Sequence, residues 1–181
     1  GTSDRAPLDQ QAAMTQEWFP DARTVGLLSC SAEPNSDYQV KMVQGYLEDM
    51  GYTCTSYTFS DSNDLSSVPT TACSENEVVY IPTDNTAAQN AELIGNIAQQ
   101  TGTPIITGEE GICRGCGVAT LSISYYDLGY KTGEMAYDIL VNGADPATME
   151  IAYAPNFTAK YNPDMCDALG LTPPEGYEAI S

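Results

Sequence analysis

Short apolar runs that end in polar loops alternate along this chain with stretches of helical period, and that alternation sets the expected fold. The run Val78-Val79-Tyr80-Ile81 stops at Pro82 and spills into Thr83-Asp84-Asn85-Thr86 before a helical pattern begins. β-Branched and aromatic residues in a row fit a parallel strand covered on both faces, and the polar residues supply caps for the following helix. The same grammar recurs at 24–30, which ends in Ser31-Ala32-Glu33-Pro34-Asn35-Ser36, and at 104–107, which ends in Gly108-Glu109-Glu110-Gly111. Ligands of open α/β sheets sit at the carboxyl ends of the strands, so three polar loops are expected to meet at one edge.

The intervening stretches read as helices. A first helix, capped by Ser3 or Asp4 and stopped by Pro20, turns Leu8, Ala12 and Trp18-Phe19 inward. A second opens at Asn35 or Ser36, carries Val40, Val43, Leu47 and Met50 on one face, and ends at Gly51. Tyr52 to Phe59 has strand character and leads into the turn-rich Ser60-Asp61-Ser62-Asn63-Asp64. Over 65–74 a third helix is expected, confined to one side of Pro69. The fourth runs from about Thr86 to Thr101 with Ala87, Ala91, Ile94 and Ala98 inward, closed by Gly102. The order β-α-β-α-β-α-β with right-handed crossovers predicts an α/β protein with a Rossmann-like doubly wound parallel sheet.

Beyond Thr107 the pattern changes. Gly108 to Gly117 reads as a glycine- and cysteine-rich loop, and Ala119, Leu121 and Ile123 alternate with Thr120, Ser122 and Ser124 as in a strand with one polar face. A long helix from about Tyr126 to Val141 carries the stripe Leu128, Met135, Ala136, Ile139 and Leu140, with Gly129 and Gly133 leaving room for a close neighbour. Met149 to Tyr153 reads as a strand, Asn162-Pro163 opens a short helix that Gly170 ends, and the tail with Pro173-Pro174 reads as a surface strap.

Composition narrows the function. At 181 residues the chain suffices for one good-sized domain or two lobes. Six Lys and Arg against 25 Asp and Glu give a net charge of −19, which argues against nucleic acid and anionic lipid as partners. Histidine is absent, which excludes every mechanism that uses imidazole as base, shuttle or metal ligand. No apolar stretch has the length of a membrane span, and a start at Gly-Thr-Ser-Asp-Arg reads as a processed product or fragment.

The candidate chemistry is sparse. Asp84, at the mouth of the central strand, suits either a helix cap or the ammonium group of a ligand, and position alone favours the cap. Glu109 and Glu110 suggest acid-base work, but neighbours in sequence point apart, so a solvated loop is the plainer reading. Cys113-Arg114-Gly115-Cys116 lacks the second pair that zinc requires and does not open a helix as a thioredoxin site does. It reads as structural or weakly redox-active, with a local Cys113 to Cys116 disulfide and a second pairing of Cys54 with Cys73. Gly111 to Gly117 lacks the spacing of a phosphate loop, and Asn156-Phe157-Thr158 matches a glycosylation sequon that is frequent by chance. No metal and no cofactor is expected.

Three stretches in order carry a resemblance: Val79 to Thr86, Gly108 to Gly111, and Ala119-Thr120-Leu121-Ser122-Ile123-Ser124-Tyr125-Tyr126-Asp127-Leu128-Gly129, with Phe19-Pro20-Asp21-Ala22 leading into the first strand. Together they resemble the substrate-binding proteins of the tryptophan/tyrosine type of ABC transporter, over essentially the whole chain. The resemblance implies a type I periplasmic-binding-protein fold, two lobes joined by three crossings with the ligand between them. It also implies a lobe-sized stretch and a secretion signal ahead of Gly1. Residues 1–117 would be the second lobe, 118–148 a hinge crossing and a helix of the first lobe, and 149–181 the return to the second. Ligand-facing positions carried over are Ser31, Glu33, Asn35, Ser36, Asp84, Asn85 and Glu109, and on this view Asp84 meets a ligand ammonium. The implied function is non-catalytic: delivery of an aromatic amino acid to ABC permease subunits, from a membrane-anchored lipoprotein on the outer face of the cell membrane or in the periplasm. The cysteine-rich loop departs from the plainer glycine loop of most members. The rival reading is a flavodoxin-like or receiver-like signalling or redox domain, for which the phosphate loop and the acidic pocket with an opposed lysine are not evident.

Overall fold

In the computed structural model, residues 1–5, 7–61, 63–154 and 156–180 are described, and they form a large sheet and a small one. The large sheet is built from β2 (Thr24–Cys30), β3 (Thr53–Phe59), β4 (Val78–Ile81), β5 (Ile105–Thr107), β6 (Ala119–Ile123), β8 (Phe157–Tyr161) and β9 (Glu178–Ala179), and the small one from β1 (Thr2–Ser3) and β7 (Ala152–Tyr153). The helices are α1 (Leu8–Trp18), α2 (Pro34–Asp49), α3 (Ser67–Glu75), α4 (Asn85–Gln89), α5 (Ala91–Thr101), α6 (Glu110–Cys116), α7 (Tyr125–Leu140) and α8 (Pro163–Leu169).

The order across the large sheet is β3-β2-β4-β5-β6-β8-β9. Its first five strands are parallel, which is the predicted doubly wound arrangement. Right-handed crossovers set α1 and α2 on one face and α3, α5, α6 and α8 on the other. Covered on both sides, Val25, Leu27, Leu28, Val79, Tyr80, Ile81, Ile105 and Ile106 are fully buried. Each such aliphatic side chain contributes about 1.5–3 kcal/mol by leaving water. The core therefore sits directly beneath the strand ends that face the site.

Several boundaries differ from those predicted, each for a physical reason. Helix α1 starts at Leu8 behind Pro7, because Ser3 is taken up in β1. Pro69 falls in the first turn of α3, where its missing N–H has no helical partner to lose, so the helix runs through it. The expected turn at 60–64 closes through Asp64, whose carboxylate accepts from the Ser60 N–H at 3.1 Å, while Ser62 lies outside the described residues. The helix expected over 86–101 is two, broken at Asn90, whose side chain donates to the Thr86 carbonyl at 2.8 Å.

The largest correction is α6, where a loop was expected. Glu109 caps it, and its glycines serve contact rather than flexibility. A Cβ on Gly115 would collide with Ala91, and one on Gly95 with the Gly115 carbonyl, so α5 and α6 lie backbone to backbone. The cysteine pairings also fail: all six are free thiols. Cys116 faces the Ile112 carbonyl one turn back in α6. Cys54 lies on the α2 face of β3, beside Glu48, whereas Tyr57 on the opposite face meets Glu75 of α3, the helix that carries Cys73. A bridge from Cys54 to Cys73 would have to pass through the sheet.

The predicted strand at 149–153 is short and does not rejoin the large sheet. Its β7 pairs with β1, against which α7 also packs, and the Thr2 and Thr132 hydroxyls share a 2.6 Å hydrogen bond. The return occurs through β8, antiparallel to β6, with β9 added parallel beyond it. β6 is hydrogen-bonded between β5 and β8, so residues 119–123 belong to the large sheet. Leu128 and Met135 of the predicted α7 stripe are buried, Leu140 stands 83% exposed, and a Cβ on Gly129 or Gly133 would meet nothing within 4 Å.

Candidate functional site

The carboxyl ends of β2, β4, β5 and β6 form one edge, and the loops that leave them meet there as expected. Strand order reverses between β2 and β4, the place where open α/β sheets hold ligands. Asp84 occupies that point, 1% exposed. One carboxylate oxygen accepts from the Cys30 N–H at the end of β2 (2.7 Å) and the other from the Ala87 N–H in α4 (2.8 Å). It thus caps α4 and pins it to the neighbouring strand.

Glu33 serves the same helix from the other side. Its oxygens accept from the N–H groups of Asn85 (2.9 Å) and Thr86 (2.8 Å) and from both side chains. Burial pushes its pKa up, but these donors outweigh burial and hold the carboxyl below its ordinary value. Glu109 caps α6, accepting from Gly111 N–H at 2.7 Å and from Ile112 N–H. Glu33, Asp84 and Glu109 therefore accept through both carboxylate oxygens, all of these bonds lying at helix N-termini, where the macrodipole favours negative charge, except the one from Asp84 to the end of β2.

Asn35 and Ser36 at the start of α2 both donate to the Thr83 carbonyl, at 3.0 and 3.2 Å, and Gln39 accepts from the Thr83 N–H at 3.2 Å. Ser36 is buried, while Ser31, Asn35 and Asn85 are exposed on the rim. Of the seven predicted positions, five reach the rim at least in part, and Ser36 and Asp84 lie beneath it.

Two recesses open along this edge. One, of about 250 Å³, is lined by Asp4, Thr83, Gly108, Glu109, Ser122 and Tyr125 among others. The second, about 420 Å³, is lined by Asp4, Arg5, Asn35, Tyr38, Gln39 and Thr83. Arg5 stacks on the Tyr38 ring, 5.0 Å from its centroid, and donates to its hydroxyl. Burial first, then the charges of Asp4 and Glu109, push the Tyr125 phenol above its ordinary pKa. At the far wall Glu110 takes Lys160 at 2.6 Å and Arg114 at 3.3 Å, and the hydrogen bond from Lys160 does most to hold its carboxyl low.

The floor is rigid. Gln11 of α1, fully buried, donates to the Gly108 carbonyl at 3.1 Å and accepts from the Tyr80 hydroxyl at 2.6 Å. Gly108 is required by contact: a Cβ there would sit 2.6 Å from Thr83 N and 2.7 Å from Pro82 C. Sequence reasoning missed Asp4, Gln11, Thr83, Gly108 and Tyr125 as site residues. Pro7, which delays the first helix and leaves Asp4 in a connecting segment, was the available signal for the first.

A family model described as "ABC transporter substrate binding protein" matches residues 1–179. A "Tyrosine-binding protein" of Clostridioides difficile (strain R20291) is 29% identical over 140 residues, covering 77% of this chain and 41% of that protein. Among solved structures, the ligand-free, open form of a substrate-binding protein with adhesive properties from Clostridium difficile aligns at 31% identity and TM-score 0.83, covering 100% of this chain and 62% of that one. An ABC domain in complex with L-Trp from Streptococcus pneumonia aligns at 29% identity and TM-score 0.87, covering 99% and 64%. The chain thus spans about two fifths of the curated relative and under two thirds of each solved structure.

Proposed function

Because this chain belongs to the family of ABC transporter substrate-binding proteins, with the type I periplasmic-binding-protein fold, we propose that it forms one wall of a cleft in which an aromatic amino acid is held for delivery to a membrane permease. The family is one of binding proteins rather than enzymes. The observation that carries the reading is the carboxyl edge of the sheet, where Ser31, Asn35 and Asn85 stand exposed on the rim and Glu109 lines a recess together with Tyr125. The relatives named for tyrosine and solved with L-Trp support the aromatic class.

On this reading the part of the relatives that the chain does not span supplies the opposite wall, and α7 with β1 and β7 belongs to it. The connections at Ser3 to Leu8, Ile123 to Tyr125 and Tyr153 to Phe157 are then the three crossings. No helix among the described residues is long and apolar enough to cross a membrane, and a lipid-anchored position outside the membrane is part of the proposal. The order of the five parallel strands is shared with flavodoxin-like domains, so it is the family match and not the topology that sets the rival aside. Calorimetric titration of the full-length protein with L-tryptophan, L-tyrosine, L-leucine and a pentose tests the proposal. Binding of an aromatic amino acid in preference to the other two is expected, and binding of the pentose alone would refute it.

A further inference from the structure

We propose that Cys113 of α6 and Cys166 of α8 form a redox modification site, joined by a disulfide when the chain folds in an oxidising medium. The proposed place outside the membrane is such a medium. Neither thiol has a part in the cleft: Cys113 and Cys166 are 0% and 2% exposed, and in the structure both are reduced. The geometry brings them together from separate parts of the chain. Asn162, the N-cap of α8, donates through its side chain to the Cys113 carbonyl at 2.9 Å and to the Arg114 carbonyl at 3.0 Å, which docks the first turn of α8 on the end of α6. Cys166 stands one turn further on, on the same face of α8, so it too is turned toward α6. Its thiol donates to the Val118 carbonyl at 3.8 Å, the carbonyl that also accepts the Asn162 N–H at 3.0 Å. The Cys113 sulfur lies 3.1 Å from where a Cβ on Gly117 would stand. Both sulfurs thus border the junction of Gly117 and Val118, whereas the Cys116 thiol faces the Ile112 carbonyl at 3.4 Å.

Burial pushes the Cys113 thiol up to about 12, with Cys166 adding to the shift, and burial pushes Cys166 up to about 11. Neither is a ready nucleophile once the protein has folded. The bond is therefore made during folding, while both thiols are still in water. One thiolate attacks a sulfur of a small-molecule disulfide, whose S–S bond breaks; one half leaves and takes up a proton, and the other stays as a mixed disulfide. The second thiolate then attacks the protein sulfur of that bond and expels the remaining half. Two protein thiols are oxidised by two electrons, and one small disulfide is reduced to two thiols. The loop closed between Cys113 and Cys166 holds α7 and β7, so the bridge ties the chain's departure from the large sheet to its return.

The test refolds the reduced, full-length protein in a mixture of oxidised and reduced glutathione, blocks the remaining thiols, and maps linked peptides by mass spectrometry without reduction. A Cys113–Cys166 pair is expected, with a melting temperature about 5–15 °C above that of protein refolded in excess reductant. Cys166→Ser should abolish both the pair and the rise, whereas Cys54→Ser, on the opposite face of the sheet, should keep them. Six blocked thiols after refolding, a bridge from Cys113 to any other cysteine, or a melting temperature no higher than that of the reduced protein overturns the inference. The mapping is made on the parent, so it decides even where a variant fails to fold. It reads thiols rather than ligand, so its failure leaves the proposed function standing.

Discussion

Replacing Asp84 by Asn separates two roles for the central carboxylate. In the structure both its oxygens accept from buried backbone N–H groups, Cys30 at 2.7 Å and Ala87 at 2.8 Å, and the side chain is 1% exposed. An amide of the same shape has one acceptor, so its NH2 group must face one of these donors. Loss of the cap costs about 1 kcal/mol, and a buried N–H left without a partner costs about 1–3 kcal/mol. Together these give about 2–4 kcal/mol, or a fall in melting temperature of about 5–15 °C for a domain of this size. Asp84→Ala should cost a similar amount, since it deletes both acceptors. Urea unfolding monitored through Trp18 measures the difference. A variant within about 0.5 kcal/mol of the parent that has nevertheless lost amino-acid binding would refute the structural role and restore Asp84 as the ammonium partner.

Gly108→Ala should destabilise the protein by about 1–3 kcal/mol, because the new methyl meets backbone at Thr83 and Pro82 that Gln11 and Gln39 hold in place. Unfolding midpoints check this, and a neutral substitution would show that the two loops separate freely. Lys160→Met removes the main cause of the lowered Glu110 pKa. A lowered carboxyl contributes stability that is present above its unfolded pKa and lost as pH falls through the folded value. The parent should therefore exceed the variant by up to about 1 kcal/mol at neutral pH and converge with it in acid, once the pH has fallen through the lowered value of the folded carboxyl. Stability measured across that range gives the answer, and a constant difference would count against the ion pair.

The strand ends were legible in the sequence because fully buried parallel strands leave unbroken β-branched and aromatic runs, as at Val78 to Ile81, and these stop where the chain leaves the sheet. The helix at Glu110 to Cys116 was not, because Gly111 and Gly115 argue locally for a loop. What keeps Gly115 helical is the backbone of Ala91 on a neighbouring helix, a contact that no local pattern encodes. The strand at Phe157 to Tyr161 was hidden for a related reason: half-buried throughout, it shows neither a continuous apolar run nor clean alternation. At the site, position was readable and direction was not. Glu33, Asp84 and Glu109 stand at the predicted edge, but whether a carboxylate turns toward a helix or toward open solvent depends on the loop backbone. Tyr125 was read as part of the resemblance and missed as a site residue because its environment comes from Asp4, more than a hundred residues earlier.

The pairing of β6 with β8 has a mechanical consequence. The chain leaves the large sheet through Ile123 and re-enters at Phe157, which is its ladder partner, while Ser3 and Tyr153 are partners in the small sheet. Each connection between the two sheets is thus laced to a neighbour on at least one side. Both ladders lie inside one sheet, β6 with β8 in the large one and β1 with β7 in the small one, so the strand ends at Ile123 and Phe157, and those at Ser3 and Tyr153, are held together as pairs. Loosening either ladder would therefore release two connections between the sheets at once rather than one.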